Sequence, residues 1–415
     1  MRGEIGGAFA EATAAGWIAC AESPVNCGRK CAALAPSVAN TQADKEYQME
    51  IRPFTIAVPQ PDVDDLKVRL ARTRWPDELP GIGWSRGVPL EFLKELVAYW
   101  AESYDWRAAE ARLNEYPQFT TEIDGQRIHF LHVRSGNPDA LPLVLTHGYP
   151  SAFAEFTTLI EHLRQDFHVV VPSLPGFAFS TPVGEAGWGM GRTARAWIEL
   201  MRRLGYDRYG VHGGDIGAGV SGAVAGLDGE HVVGVHVVTD PYTAAAAATF
   251  LPGMADRLDP ADPVDQSALE RMAEFRADGS GYLAIQNTRP QTIGYLLNDS
   301  PAGQFGWIAE GFERWTDLPY DREQLLTIAS LYWFTGSGIS AARFLYEQAH
   351  SSEWGTPPAV PQGFAVFSAD PTVRKLVDPP AEAHWTEYER GGHFPAMEAP
   401  EMLATDLRVF FGGLK

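Results

Sequence analysis

From Phe119 to Val238 the apolar positions fall into short runs separated by turn residues, and two spacings alternate. Phe119–Ile123 and Ile128–Val133 flank Asp124-Gly125 and predict two strands joined by a tight turn. Leu141–Leu145, Val169–Val171 and Val232–Val238 are continuous apolar runs of strand length. Between them Phe156, Leu159, Ile160 and Leu163, then Ala194, Trp197, Ile198 and Met201, recur at helical spacing. Such alternation predicts an α/β fold, a mostly parallel sheet with helices on both faces. Upstream, Val63, Leu66 and Leu70 follow the start signal Pro61-Asp62, and Leu93, Leu96, Val97 and Trp100 share another helical face. Neither helix carries chemistry, so they read as a meander packed on the main domain. After Asp240-Pro241 the alternation gives way to helical and loop patterns, which predicts a cap over the sheet. The sheet resumes at Gly363–Phe367, with a last strand near His384–Tyr388, and Pro400 opens a closing helix carrying Leu403, Leu407, Phe410 and Phe411.

These patterns divide the chain into a poorly ordered extension (1–48), a meander (49–118), a first core segment (119–240), a helical cap (241–355) and a second core segment (356–415). The change of texture at Met49 makes it a candidate start of translation. With 415 residues, 45% hydrophobic and 21% charged, the chain has enough apolar material for one large elaborated domain. The net charge of -20 repels nucleic acid and anionic membrane surfaces, which leaves a neutral or cationic partner as the expectation. No apolar run approaches the roughly 18 residues of a spanning helix, so no membrane anchor and a cytoplasmic location are expected. A homo-oligomer is permitted by the composition and not specified by it. Cys20, Cys27 and Cys31 are odd in number and have no accompanying His cluster, so they read as plain thiols and no metal site is expected.

The chemistry centres on Val211-His212-Gly213-Gly214-Asp215-Ile216-Gly217-Ala218-Gly219, a strand turning sharply into a helix. Gly213 and Gly217 stand two positions either side of Asp215, the spacing of a nucleophile elbow, where small neighbours let strand and helix pass closely. These nine residues alone also fit an N-capping aspartate or a phosphate cradle. The rest of the chain favours a nucleophile, because an acid after a late strand, Asp370, and then a histidine in a Gly-Gly loop, His393, follow in the order such a triad requires. Attack by Asp215 on an sp3 carbon would form an alkyl ester, and water activated by His393, oriented by Asp370, would cleave it. The backbone N–H groups of Ile216 and Tyr149 are the expected oxyanion donors.

Collinear motifs make the chain resemble an epoxide hydrolase of the α/β-hydrolase superfamily, in the branch of the microsomal and juvenile-hormone enzymes that also includes bacterial enediyne-pathway members. They include Arg52-Pro53-Phe54, Leu70–Pro76, His147-Gly148-Tyr149-Pro150, Pro172–Phe177, Gly213-Gly214-Asp215, Gln286–Thr292, Leu331-Tyr332-Trp333 and Gly391-Gly392-His393-Phe394. The resemblance implies Asp215 as nucleophile, Asp370 as charge-relay acid, His393 as base, and no cofactor. It also implies two ring-opening tyrosines in the cap, matched to Tyr282 and Tyr346, with Tyr295 and Tyr332 as neighbouring competitors. Tyr149 and Ile216 stand where relatives often carry Trp, and Ala178 replaces a common Gly. A haloalkane dehalogenase would want an indole beside the nucleophile, which Ile216 lacks. A serine esterase would need its motif at a strand-to-helix turn, whereas Gly83-Trp84-Ser85-Arg86-Gly87 lies in the meander. A non-catalytic binding protein would be expected to have lost part of the constellation.

Overall fold

The computed structural model describes residues 50–251, 253–353 and 357–414, so the expectations for residues 1–48 and for the three cysteines lie outside the described residues. Nine strands form one sheet in the order β1-β2-β3-β5-β4-β6-β7-β8-β9. They are β1 Arg52–Phe54, β2 Gln118–Ile123, β3 Gln126–Val133, β4 Leu141–Thr146, β5 Phe167–Pro172, β6 Tyr209–Gly213, β7 Val232–Thr239, β8 Gln362–Val366 and β9 His384–Glu387. The pairs β1/β2, β2/β3 and β3/β5 are antiparallel, and every pair from β5/β4 to β8/β9 is parallel. Among the parallel strands, β4, β5 and β7 are the Val- and Leu-rich runs of the sequence, as burial on both faces demands.

The early helices are α1 Gln60–Ala71, α2 Leu90–Glu102, α3 Trp106–Leu113, α4 Thr157–Leu163, α5 Met190–Arg203 and α6 Ile216–Leu227. Helices α7 Pro241–Phe250, α8 Pro263–Glu274, α9 Gly281–Gln286, α10 Pro290–Asp299, α11 Pro301–Trp315, α12 Arg322–Thr335 and α13 Gly338–Ala349 separate β7 from β8. The chain closes with α14 Pro371–Val377, α15 Pro395–Glu398 and α16 Pro400–Gly412.

Two features depart from the sequence reading. Strand β1 and helix α3 lie inside the meander, where three and eight residues are too few for periodicity to stand out. Helix α3 owes its start to Asp105, whose carboxylate accepts from the N–H groups of Arg107 and Ala108. The meander also grips the cap rather than the sheet alone. Trp100 Nε1 donates to Ser330 Oγ at 3.0 Å, the Tyr104 and Thr327 hydroxyls are 2.9 Å apart, and the Trp106 ring sits 4.8 Å from that of Phe334. All three partners lie on α12, whose Leu325, Leu326, Ile328 and Leu331 belong to the main hydrophobic core. The cap region is itself divided: Ala244, Ala245 and Ala248 of α7 and Ala268 and Met272 of α8 form a second cluster with Val373 and Leu376 of α14. No single helix among the described residues is long and apolar enough to cross a membrane.

Candidate active site

The parallel strands β4, β6, β7 and β8 deliver their carboxyl ends to one edge of the sheet, where ligands bind in open α/β folds. At the end of β6 the backbone of Asp215 takes φ 53° and ψ -126°, a left-handed conformation that costs free energy for any residue with a Cβ. Glycines make the turn sterically feasible. A Cβ on Gly217 would lie 1.9 Å from the Thr146 carbonyl oxygen, and one on Gly213 would lie 2.4 Å from Gly217. The Asp215 carboxylate caps no helix, which removes the N-cap alternative; instead its Oδ1 accepts from the Tyr149 N–H at 2.8 Å. Ile216 opens α6, so its N–H is a first-turn donor with no intrahelical acceptor.

The loop that supplies Tyr149 is fixed from below. Leu174 N–H donates to His147 Nε2 at 3.2 Å, so in the neutral ring the proton resides on Nδ1, 3.1 Å from the Gly148 carbonyl. Burial holds the imidazole neutral by lowering its pKa to about 4. Gly148 is required next, because a Cβ there would fall 2.5 Å from Asp215 Cβ.

His393 faces the other carboxylate oxygen, with Nε2 3.8 Å from Asp215 Oδ2. Its loop is tied to the cap by the His393 N–H, which donates to the Trp315 carbonyl at 2.8 Å. The Glu398 carboxylate reinforces this by accepting from the N–H groups of Gly392, Phe394, Asp317 and Leu318. On the far side of the imidazole, Nδ1 is 3.3 Å from Asp240 Oδ2 and 2.8 Å from Thr243 Oγ1, whose hydroxyl also bonds Asp240. Burial alone would lower the His393 pKa, but the hydrogen bond to Asp240 and the charge of Asp215 outweigh it and raise the pKa to about 8. Asp240 is driven the other way: burial disfavours its charge, and the bond to His393 with those from Thr243 bring its pKa below the ordinary carboxylate value.

This corrects the expectation that Asp370 orients the base. Asp370 Oδ2 accepts from Arg271 of α8 at 2.8 Å, and Oδ1 caps α14 by accepting from the Thr372 N–H and hydroxyl. Its acceptor capacity is committed to α8 and α14, and it makes no hydrogen bond to His393.

Two cap tyrosines, Tyr282 and Tyr332, lie close enough to Asp215 for its charge to act on them. The ring of Tyr282, on α9, lies parallel to that of Tyr149, with centroids 6.3 Å apart and planes 7° apart. Burial first, and then the negative charge of Asp215, raise the Tyr282 pKa well above 10, so its phenol remains protonated. Tyr332 donates to the Ser151 carbonyl at 2.9 Å, and its pKa is also raised, by burial and then by Tyr149 and Asp215. Tyr346, the second expected ring-opening tyrosine, is not joined to this group: its ring stacks on His350 at 4.0 Å. Helices α12 and α13 meet at 90°, so position along the chain does not reveal which tyrosine turns inward. Glu155 escaped the sequence reading altogether. It is buried in the one-turn helix after the Tyr149 loop, and its pKa is pushed up to about 7 by burial, against a lowering by Ser151 and His393. Only its proximity to Pro150 could have drawn notice in the sequence.

Among the described residues no group of three or more His, Cys, Asp or Glu side chains is arranged to hold a metal ion. Residues 51–156 match the family model described as epoxide hydrolase N terminus, and residues 142–330 match the model for the alpha/beta hydrolase fold. The chain is 43% identical to a Stigmatella aurantiaca protein named as an epoxide hydrolase, over 88% of this chain and 86% of that one. It is 33% identical to epoxide hydrolase 1 of Sus scrofa, over 88% and 89% of the two chains. The crystal structure of juvenile hormone epoxide hydrolase from Bombyx mori is similar with a TM-score of 0.77 and 29% identity, covering 89% of this chain and 96% of that one.

Proposed function

The chain belongs to the epoxide hydrolase family, and we propose that it converts a small-molecule epoxide to a vicinal diol through a covalent ester on Asp215. The observation that carries this reading is the unequal environment of the two Asp215 oxygens. Oδ1 is held by the Tyr149 N–H, whereas Oδ2 has no such donor and faces His393. Oδ2 therefore attacks an oxirane carbon while the C–O bond of the ring breaks, and the Tyr282 phenol gives its proton to the departing oxygen. Oδ1, held by the Tyr149 N–H, becomes the carbonyl oxygen of the ester, with the Ile216 N–H as the second donor of the proposed oxyanion hole. His393 Nε2 then takes a proton from water, the resulting hydroxide adds to the ester carbonyl, and the negative charge collects on Oδ1. Collapse breaks the ester bond, the His393 imidazolium protonates the leaving alkoxide to complete the diol, and the Asp215 carboxylic acid gives up its proton to restore the Tyr282 phenol and the free carboxylate.

The electrostatics support the order of steps. The negative charge of Asp215 is one of the influences that raise His393 to about 8. Esterification removes that charge, so the imidazole becomes a neutral base more readily once there is an ester to cleave. Tyr282 supplies a protonated acid beside the nucleophile, which dehalogenation would not use.

His393→Gln incubated with styrene oxide should accumulate an adduct of the substrate's mass on the peptide containing Asp215. A variant that stays unmodified while wild-type enzyme turns over the epoxide would contradict the ester route. In wild-type enzyme, single turnover in heavy-oxygen water should place the label in the Asp215 carboxylate.

A further inference from the structure

Beside the nucleophile, the cap and the Tyr149 loop enclose a cavity of about 230 Å³. Its walls are the rings of Tyr149, Tyr282, Tyr242, Trp307 and Trp315. Asp215 and His393 stand directly behind two of these walls: the backbone of Tyr149 holds Asp215, and the Trp315 ring stands edge-on to His393 at 5.2 Å. Five aromatic walls suit a flat, polarisable substituent, because ring faces and edges pair favourably with another π-system. The volume suits one or two fused rings rather than a long flexible chain.

The polar atoms in these walls are more selective. Trp307 Nε1 and the Tyr242 hydroxyl are both buried without a well-formed hydrogen bond; Trp307 approaches the Tyr149 hydroxyl, and Trp315 approaches that of Tyr242, whose own proton has no acceptor. The Tyr149 hydroxyl accepts from Gln286 Nε2 at 2.7 Å and makes no hydrogen bond with its own proton. An indole N–H can only donate, and the two phenols each have a proton to donate, so the cavity presents donors that lack acceptors. Burying such donors is unfavourable in the empty cavity and becomes favourable when a ligand supplies the acceptor. Charge is confined to the rim, where the acids Asp278 and Glu310 outnumber the single Arg314. Within an enzyme of net charge -20, that rim disfavours an anionic acceptor.

We infer that this cavity selects epoxides carrying a planar aromatic substituent with a neutral hydrogen-bond acceptor, such as a carbonyl or ether oxygen, received by Trp307 Nε1–H and the Tyr242 hydroxyl. The inference rests on the ester mechanism at Asp215, which needs the oxirane beside Tyr282, and it adds what the remainder of the substrate must look like. The aromatic ring lies between the tyrosine and tryptophan walls, and the acceptor reaches the buried donors.

The test compares kcat/KM for 4-acetylstyrene oxide with that for 4-isopropylstyrene oxide, which has nearly the same shape and no acceptor. Wild-type enzyme should prefer the acetyl compound, and Trp307→Phe and Tyr242→Phe should each reduce that preference roughly five- to tenfold. Taking the ratio of two substrates within each variant cancels losses of folded enzyme, and two independent variants guard against one that fails to fold. Turnover of both epoxides with the same ratio in wild type and both variants would overturn the inference and leave the ester mechanism standing. If wild-type enzyme turned over neither epoxide nor styrene oxide, the reading of the site would fail and the inference with it.

Discussion

Strands β7 and β8 lie side by side and end alike. Each is followed by an aspartate that caps the next helix and by a proline at its first turn: Asp240-Pro241 opens α7, and Asp370-Pro371 opens α14. The two carboxylates nevertheless meet opposite surroundings. Asp240 is buried against His393 and Thr243, and Asp370 is paired with Arg271. The same local sequence grammar therefore makes one acid that can orient a base and another that ties α8 to α14. What distinguishes them is the partner that tertiary packing brings up, an imidazole in one case and a guanidinium in the other.

The sharpest way to break this comparison is to neutralise each acid in turn. Asp240→Asn should lower kcat by roughly 10⁴, because the imidazole loses the group that fixes its tautomer and stabilises its protonated form. Asp370→Asn keeps a capable N-cap and loses only a partly exposed ion pair, so kcat should stay near wild type and stability should fall by about 1 kcal/mol or less in denaturant unfolding. Comparable losses of kcat in both variants, or a larger one in Asp370→Asn, would return the relay to the late strand.

The tyrosines extend the same contrast into the cap. Tyr282→Phe should reduce the rate of ester formation by about 10²–10⁴, the range expected for loss of a general acid. Tyr346→Phe should alter that rate little, since its ring is engaged with His350. Rapid-quench measurement of ester formation separates the two.

A smaller effect sharpens the electrostatic side. Where ester hydrolysis limits turnover, kcat should rise with pH along a limb whose midpoint lies below the value of about 8 set in the free enzyme, because esterification removes the Asp215 charge. Stability follows the opposite sign. His393 is raised above its unfolded value of 6.5, so its contribution is fully present below that pH and is lost as pH climbs through about 8. Denaturant unfolding between pH 6 and 9 should show this decline, and Asp240→Asn should flatten it.

The contrast between the two acids also explains what was legible in the sequence. The elbow could be read because its steric demand is local: Gly213 and Gly217 sit where a Cβ would strike backbone, and no distant residue changes that. His393 could be found because Gly391 and Gly392 announce a tight loop, and a Cβ on Gly392 would lie 2.3 Å from the Trp315 carbonyl oxygen. The strands of the sheet core follow from their apolar runs. The carboxylate beside His393 was expected at Asp370 and stands at Asp240 because the two share one local pattern. The sequence preferred Tyr346 to Tyr332, whereas Tyr332 is the one that feels the Asp215 charge, because a sharp bend between two helices sets their surroundings. Glu155 looked like an ordinary polar position in a short helix, and only burial against the site sets it apart. Local sterics can be read along a chain, whereas the partner of a buried charge is a property of the whole fold.

The most direct test is rapid-quench mass spectrometry of Asp240→Asn mixed with styrene oxide. An ester on the Asp215 peptide should form promptly and persist, because the nucleophile is intact and the base that cleaves the ester is impaired, while Asp370→Asn should clear the same ester at the wild-type rate. An Asp240→Asn enzyme that clears the ester as fast as wild type, or an Asp370→Asn enzyme that accumulates it, would contradict the account.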